Sequence, residues 1–216
     1  MNISAPDIDL ICDEREIFHA LLPDRARVLE LGCGNAEKTR LIARSGKVAA
    51  VLALEVDGIQ HAKNMAITDM PTVRFALGGA EDIPAADAGF DIVFMFKSLH
   101  HVPVERMDQA LSEIQRVLKP GGIAYISEPI YAGEYNEIMR LFHDEQRVRE
   151  AAFAAVGRTV ESAAMELVAQ KFFKTTVRFG DFSEFEKKVL KVTHTHHALS
   201  PEVYGEVRSR CARHMT

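Results

Sequence analysis

The chain has 216 residues, of which 47% are hydrophobic and 26% charged, and a net charge of −5 at pH 7. That length suits one domain with a full core, and the composition excludes disorder, collagen-like repeats and coiled-coil rods. The longest basic run is Lys187-Lys188, so no general grip on a phosphate backbone is expected, and no stretch approaches the roughly 18 apolar residues of a membrane span.

From the N-terminus, Leu10, Ile17, Phe18, Leu21 and Leu22 recur at helical spacing within residues 9–22, which predicts an amphipathic helix closed by Pro23-Asp24. Arg27-Val28-Leu29-Glu30-Leu31 reads as a strand broken by Gly32-Cys33-Gly34; a helical segment near 36–45 then leads to a second apolar run, Val48 to Leu54. This is one βαβ unit. Further strands are predicted at Val73 to Leu77 and at Phe90 to Phe96, the latter almost wholly apolar as for a strand covered on both faces. Met107, Ala110, Leu111, Ile114, Val117 and Leu118 form a helical stripe, stopped by Lys119-Pro120-Gly121-Gly122 before a fifth strand, Ile123 to Ser127. Beyond Glu128-Pro129, the spacing of Ile138, Leu141, Phe142, Val148, Ala152, Phe153 and Val156 predicts one or two helices. A strand-like run, Phe172 to Phe179, follows, and then helical stretches near 182–192 and 201–214. Alternating strands and helices imply a doubly wound α/β sheet, whose ligand crevice lies at the carboxyl ends of the strands.

Gly32-x-Gly34, directly after a strand and before a helix, lets a ligand approach bare backbone. A dinucleotide fingerprint would carry its third glycine at Glu37, and a carboxylate there opposes a pyrophosphate on the helix N-terminus. A ligand without phosphate suits the turn better, although an acid in a first turn also serves simply to favour the helix dipole. Glu55 follows the second strand, where an acid can accept the hydroxyls of a ribose. Asp57 reads instead as the cap of the next helix.

Together these residues carry a resemblance. Val28-Leu29-Glu30-Leu31-Gly32-Cys33-Gly34 resembles the first motif of class I S-adenosylmethionine-dependent methyltransferases, and Leu54-Glu55-Val56-Asp57 resembles their acidic second motif. Gly79-Ala80-Glu81-Asp82-Ile83-Pro84 is similar to the adenine-side loop, and Phe90-Asp91-Ile92-Val93 with Leu99-His100-His101 to the fourth-strand region. Arg116 to Gly122 resembles the turn before strand five, so the likeness covers about residues 25–130. It implies a three-layer, mostly parallel sheet with a helical lid, and S-adenosylmethionine as cofactor. Gly32, Cys33 and Gly34 would line the methionine moiety through backbone atoms, with Glu30 counted among the cofactor-binding residues. Glu55 would bind the ribose hydroxyls and Val56 would pack on the adenine. Ala80 and Glu81 would border the adenine edge, Glu81 standing in for an Asp that the family often has where this chain has Gly79. Met95 and Phe96 would sit beneath the reactive methyl. The family sheet has seven strands in the order 3-2-1-4-5-7-6, whereas only Phe172 to Phe179 follows the fifth here. Either helices from 181–214 cover that edge, or it stays open and a second subunit can pair with it in a homodimer.

A sulfonium is already activated, so transfer needs alignment and exclusion of water rather than a metal. Where the acceptor is a hydroxyl or a carbon acid, candidate bases are His100, His101, Tyr131 and His143, with Glu128 beside them. The His pair serves equally as a packing and hydrogen-bonding feature. The expected organisation is one domain: residues 1–24 and 131–170 as lid, 25–130 as cofactor core, and 171–216 as a C-terminal strand and helices. Tyr131, Tyr135, Arg140 and His143 are the polar members of the lid. No metal is expected, since His194-x-His196-His197 has no acidic or cysteine partner at ligand spacing. Met95-Phe96-Lys97-Ser98 stands where amino-group-methylating branches carry Asn-Pro-Pro-Tyr or Asp-Pro-Pro-Tyr, which favours a small-molecule acceptor over nucleic acid. The three cysteines lack any CxxC pair and the N-terminus is acidic, so a reducing cytoplasm is expected, without membrane attachment. An NAD(P)-dependent oxidoreductase, which Glu37 opposes, and a catalytically inactive S-adenosylmethionine-binding protein are the competing readings.

Overall fold

The computed structural model describes residues 1–5, 8–191 and 199–213. Five parallel strands, β1 (Ala26–Leu31), β2 (Val48–Glu55), β3 (Val73–Leu77), β4 (Phe90–Phe96) and β5 (Leu118–Ser127), lie in the order β3-β2-β1-β4-β5. Chain order reverses beside β1, so the carboxyl ends of β1 and β4 border the crevice where such sheets bind ligands.

Alternation along the strands divides the core between two faces. Val28, Val51, Ile92 and Phe94 pack with Phe18 of α1 (Glu14–Leu21) and Ile42 of α2 (Glu37–Ala43). Leu29, Leu31, Val93 and Met95 meet Met107, Leu111 and Ile114 of α4 (Met107–Val117), with Ala152 and Ala155 of α6 (Gln146–Glu161). The helix α3 (Gly58–Asn64) begins at Asp57, whose carboxylate accepts the Ile59 N–H at 2.8 Å, as the capping reading anticipated.

Three expectations need correction. The first helix does not fill residues 9–22: the Asp13 side chain caps it on Arg15 N–H, so it starts at Glu14 and leaves Leu10 and Ile11 exposed. Phe172 to Phe179 is no strand of the sheet. Its one ladder contact is a parallel bridge of Lys174 with Ile11, held by Lys174 N–H to Leu10 C=O at 2.8 Å and Cys12 N–H to Lys174 C=O at 3.2 Å. Phe, Thr and Val dispose that run to an extended backbone, but the N-terminal segment, not β5, supplies its partner. The seven-strand order is thus reduced to five strands among the described residues, with β5 at the edge. Nor, among the described residues, do the C-terminal helices form a cover of that edge: α5 (Glu134–Met139), α7 (Phe182–Phe185) with the following π-helical turn Glu186–Leu190, and α8 (Pro201–Ala212) bury Ile138, Phe185, Val189, Leu190 and Val207 in a core of their own. The His194, His196 and His197 cluster lies outside the described residues. Among the described residues no helix is long and apolar enough to cross a membrane.

Candidate functional site

The turn after β1 needs its glycines for different reasons. Gly32 has φ +70°, and a Cβ there would come within 2.8 Å of the Ser98 Cβ; Ser98 itself donates from Oγ to Leu31 C=O at 2.9 Å. Gly34 has φ +51° but nothing within 4 Å of where a Cβ would stand, so its outer side is open space. Glu55, only 7% exposed at the end of β2, turns its carboxylate into this crevice. Its Oε2 accepts the Gly34 N–H at 2.7 Å, and its Oε1 accepts the Val56 and Asp57 N–H groups, each at 2.9 Å. A carboxylate offers about four acceptor sites, so three amides fix its orientation and leave capacity for a hydroxyl donor. Asn64 of α3 braces the turn from behind, donating from Nδ2 to Gly34 C=O at 2.7 Å.

Glu30 is fully buried beneath the same turn, and burial pushes its carboxyl up to about 7, opposed by Thr39 and Lys38. Glu30 and the Thr39 hydroxyl face each other, and among the described residues neither Glu30 Oε2 nor Thr39 Oγ1 has a further hydrogen-bond partner. This buried carboxyl below bare backbone puts an acceptor next to the turn. Cys33 is buried, its N–H donates to Leu54 C=O at 2.9 Å, and burial raises its thiol far above the ordinary range, which leaves an inert side chain. Val56 is 66% exposed, an apolar side chain free to meet a flat ring. Ala80 is buried, and the Glu81 carboxylate occupies the space that a side chain at Gly79 would need. Met95 belongs to the core facing α4, while Phe96 packs with Phe18, Phe94 and Tyr125 on the opposite face, so their side chains part.

A second polar cluster lies beyond β4 and β5. Glu128 receives the Leu99 N–H on Oε1 at 2.8 Å and pairs through Oε2 with Nδ1 of buried His100. His100 Nε2 stands 3.7 Å from Glu145 Oε1, which also meets His143 Nε2 at 3.0 Å; Glu145 Oε2 takes Arg149 at 2.6 Å. Burial opposes ionisation of Glu145, yet Arg149 and the two histidines hold its carboxyl below the usual range. Exposed His101 lies against His100 with ring centres 4.1 Å apart and planes tilted by 41°. The fold thus joins His100, His101 and His143, whereas Tyr131 turns to Asp144, and its phenol is pushed up by burial and by that carboxylate. Glu145 and Arg149 escaped the sequence reading; their i, i+4 spacing at the start of a helix was the available signal. His100, His101 and Glu145 could also present one ligand atom each to a cation, within 4.8 Å of one another.

A cavity of about 2580 Å³ runs from this cluster along β5, bounded opposite by residues 164–180 and the N-terminal segment. His100, His101, Glu128, His143 and Glu145 line it, and the glycine turn does not. Both lie at the carboxyl end of the sheet, the glycine turn and Glu55 after β1 and β2 and the His100–Glu128 cluster beyond β4 and β5.

Residues 28–122 match the family model described as a methyltransferase domain. The chain is 37% identical over 98 residues to a fatty-acid O-methyltransferase of Mycolicibacterium smegmatis, covering 44% of this chain and 34% of that protein. It is 32% identical over 145 residues to a 27-O-demethylrifamycin SV methyltransferase of Amycolatopsis mediterranei, covering 63% and 50%. These matches span half or less of the relatives' length. The fold is that of a SAM-dependent methyltransferase from Aquifex aeolicus, with TM-score 0.57, 18% identity, and 73% and 81% of the two chains covered.

Proposed function

We propose that this chain, whose residues 28–122 match a methyltransferase-domain model, is a class I S-adenosylmethionine-dependent methyltransferase that methylates a small-molecule acceptor by in-line displacement. The observation that carries the proposal is the Glu55 carboxylate bound to Gly34 N–H at 2.7 Å, which sets a hydroxyl acceptor beside bare backbone. Glu55 would hold the ribose, Val56 and Ala80 with Glu81 the adenine, and Gly32, Cys33, Gly34 and Glu30 the methionine end. When bound, S-adenosylmethionine supplies a methyl group on a positive sulfur. An acceptor atom forms the new bond to that carbon as the carbon–sulfur bond breaks, and an O–H, N–H or C–H acceptor also gives up a proton.

His100 is the group placed to take that proton. With Nδ1–H donated to Glu128, the other ring nitrogen, Nε2, faces Glu145 Oε1 at 3.7 Å, so a proton taken up on Nε2 is held against that carboxylate. His101 and His143 flank it, and Tyr131, paired with Asp144, is the weakest of the four candidates. No metal is required by this chemistry. Residues 131–170 act as the lid within a single domain, working in the cytoplasm without nucleic acid. Two copies of the chain associate as a homodimer, which sedimentation equilibrium tests.

Calorimetry with S-adenosylhomocysteine tests the central reading: binding is expected for the wild type, weakened about 10- to 100-fold in Glu55→Gln, the range for losing hydrogen bonds to a charged group. Absence of binding, or a melting-temperature rise with NAD or NADP instead, would sink it.

A further inference from the structure

Five titratable side chains, His100, His101, His143, Glu128 and Glu145, meet beyond β4 and β5, more than one proton transfer uses. His100 and Glu145 are buried, while His101 is exposed and opens the cluster to the cavity that all three line. One atom from each of these three, a ring nitrogen of each histidine and a Glu145 oxygen, converge to within 4.8 Å of one another.

We propose that His100 Nε2, His101 and Glu145 Oε1 bind a divalent transition-metal ion of the zinc class, with a further position open to the cavity. Each buried ligand is already aimed. The Leu99 N–H holds Glu128 Oε1 at 2.8 Å, and Glu128 Oε2 takes His100 Nδ1; a ligating imidazole ordinarily gives its other N–H to such a carboxylate, which fixes the tautomer and makes the ligand nitrogen more basic. Arg149, itself bound to Asn136 Oδ1 at 2.8 Å, holds Glu145 Oε2 at 2.6 Å and so turns Oε1 toward His100 and toward His143 Nε2 at 3.0 Å. The 3.7 Å from His100 Nε2 to Glu145 Oε1 is long for a hydrogen bond but near the separation of about 3.4 Å between neighbouring ligands around a tetrahedral zinc with bonds of about 2.1 Å. His101 is the exposed member, so rotation of its ring closes the remainder. Charge agrees: with neutral histidines, Glu128 and Glu145 face one permanent cation, Arg149, and a divalent ion enters a cluster with negative charge in excess. Two imidazoles and a carboxylate suit zinc and its neighbours, whereas magnesium and calcium take oxygen ligands. On the methyltransferase reading above, an ion on Nε2 holds the atom assigned to proton uptake, so the metal-bound cluster is a form in which His100 does not act as base.

Zinc titrated by calorimetry into the full chain, freed of ions with a chelator, tests the site. Binding of zinc is expected, and none of magnesium at the same concentrations. Because residues 194–197 hold further histidines, the titration is repeated on a variant carrying His194→Ala, His196→Ala and His197→Ala together, which should keep the ion. His101→Ala removes an exposed ligand with little risk to folding and should weaken zinc by more than the roughly 10- to 100-fold that losing a partner behind a ligand costs; Glu128→Gln should fall within that range. No zinc bound, equal affinity in His101→Ala, magnesium bound tighter than zinc, or loss of the ion with the histidines of 194–197 would each overturn the site. S-adenosylhomocysteine is titrated into the same samples, and its failure strikes the methyltransferase reading alone, whereas its binding beside a failed zinc titration strikes the metal site alone.

Discussion

Glu30 shows how one residue couples the proposed cofactor site to stability. Its carboxyl rises from 4.5 to about 7 because burial disfavours the charged form. Between those values the folded state holds a proton that the unfolded state releases, so stability falls as pH climbs through this window and stays lower above it. The change amounts to about 3 kcal/mol at one pKa unit per 1.36 kcal/mol. Glu30→Gln should abolish this loss in urea titrations at pH 5 and pH 8; an unchanged slope would assign the pH dependence to another group. Because an ammonium donor beside Glu30 favours its ionised form, the same variant should weaken S-adenosylhomocysteine binding most at high pH. At the other pocket, His100→Ala and Glu128→Gln should each lower turnover about 10²–10⁴-fold on an acceptor that loses a proton, the usual contribution of a positioned base. Glu128→Gln retains a carbonyl for Nδ1–H, and unchanged turnover in both variants would leave the pair a purely structural feature.

Single elements hold the site open. The α3 helix sends Asn64, 1% exposed, against the glycine turn, bonding Gly34 C=O at 2.7 Å and Cys33 Sγ at 3.5 Å. Asn64→Ala should cost about 1–3 kcal/mol, since it leaves the half-buried Gly34 carbonyl without its donor, and weaken S-adenosylhomocysteine binding beyond the fraction unfolded. In α4, Ile114 is fully buried against the sheet, and Ile114→Ala should cost about 2–5 kcal/mol in denaturant melts with little effect on cofactor affinity. The contrast separates a helix that shapes the turn from one that only supports the sheet. Both helices were legible as such: the stripe from Met107 to Val117 is buried throughout, and Asp57 caps α3. The N-terminal helix was overextended because Leu10 matched its period, while a capping Asp13 later in the chain fixes the true start.

For the whole molecule, a ligand that binds only the folded state raises stability by about 2.7 kcal/mol at one hundred times its Kd. In a chain of this size that corresponds to roughly 5–10 °C in melting temperature. S-adenosylhomocysteine should produce that rise, and Glu55→Gln should abolish most of it; equal shifts in both proteins would place the ligand elsewhere. At this scale the sheet also ends differently from the seven-strand expectation, with β5 as an edge beside a large cavity rather than beside a sixth strand.

The amino-acid sequence by itself determined the five strands, their intervening helices and the cofactor crevice, because each depends on local periodicity and on residues within one βαβ unit. Glycine at 32 and 34 and the acid at 55 are separated by a single crossover, so the parallel pairing of β1 with β2 brings them together. Only the tertiary structure decided which partner Phe172 to Phe179 finds, that Phe96 and Met95 face opposite cores, and that Glu145 and Arg149 join His100 and Asn136. Those contacts bridge segments with no shared period, and strand pairing and buried charge networks answer to what packs nearby rather than to spacing along the chain.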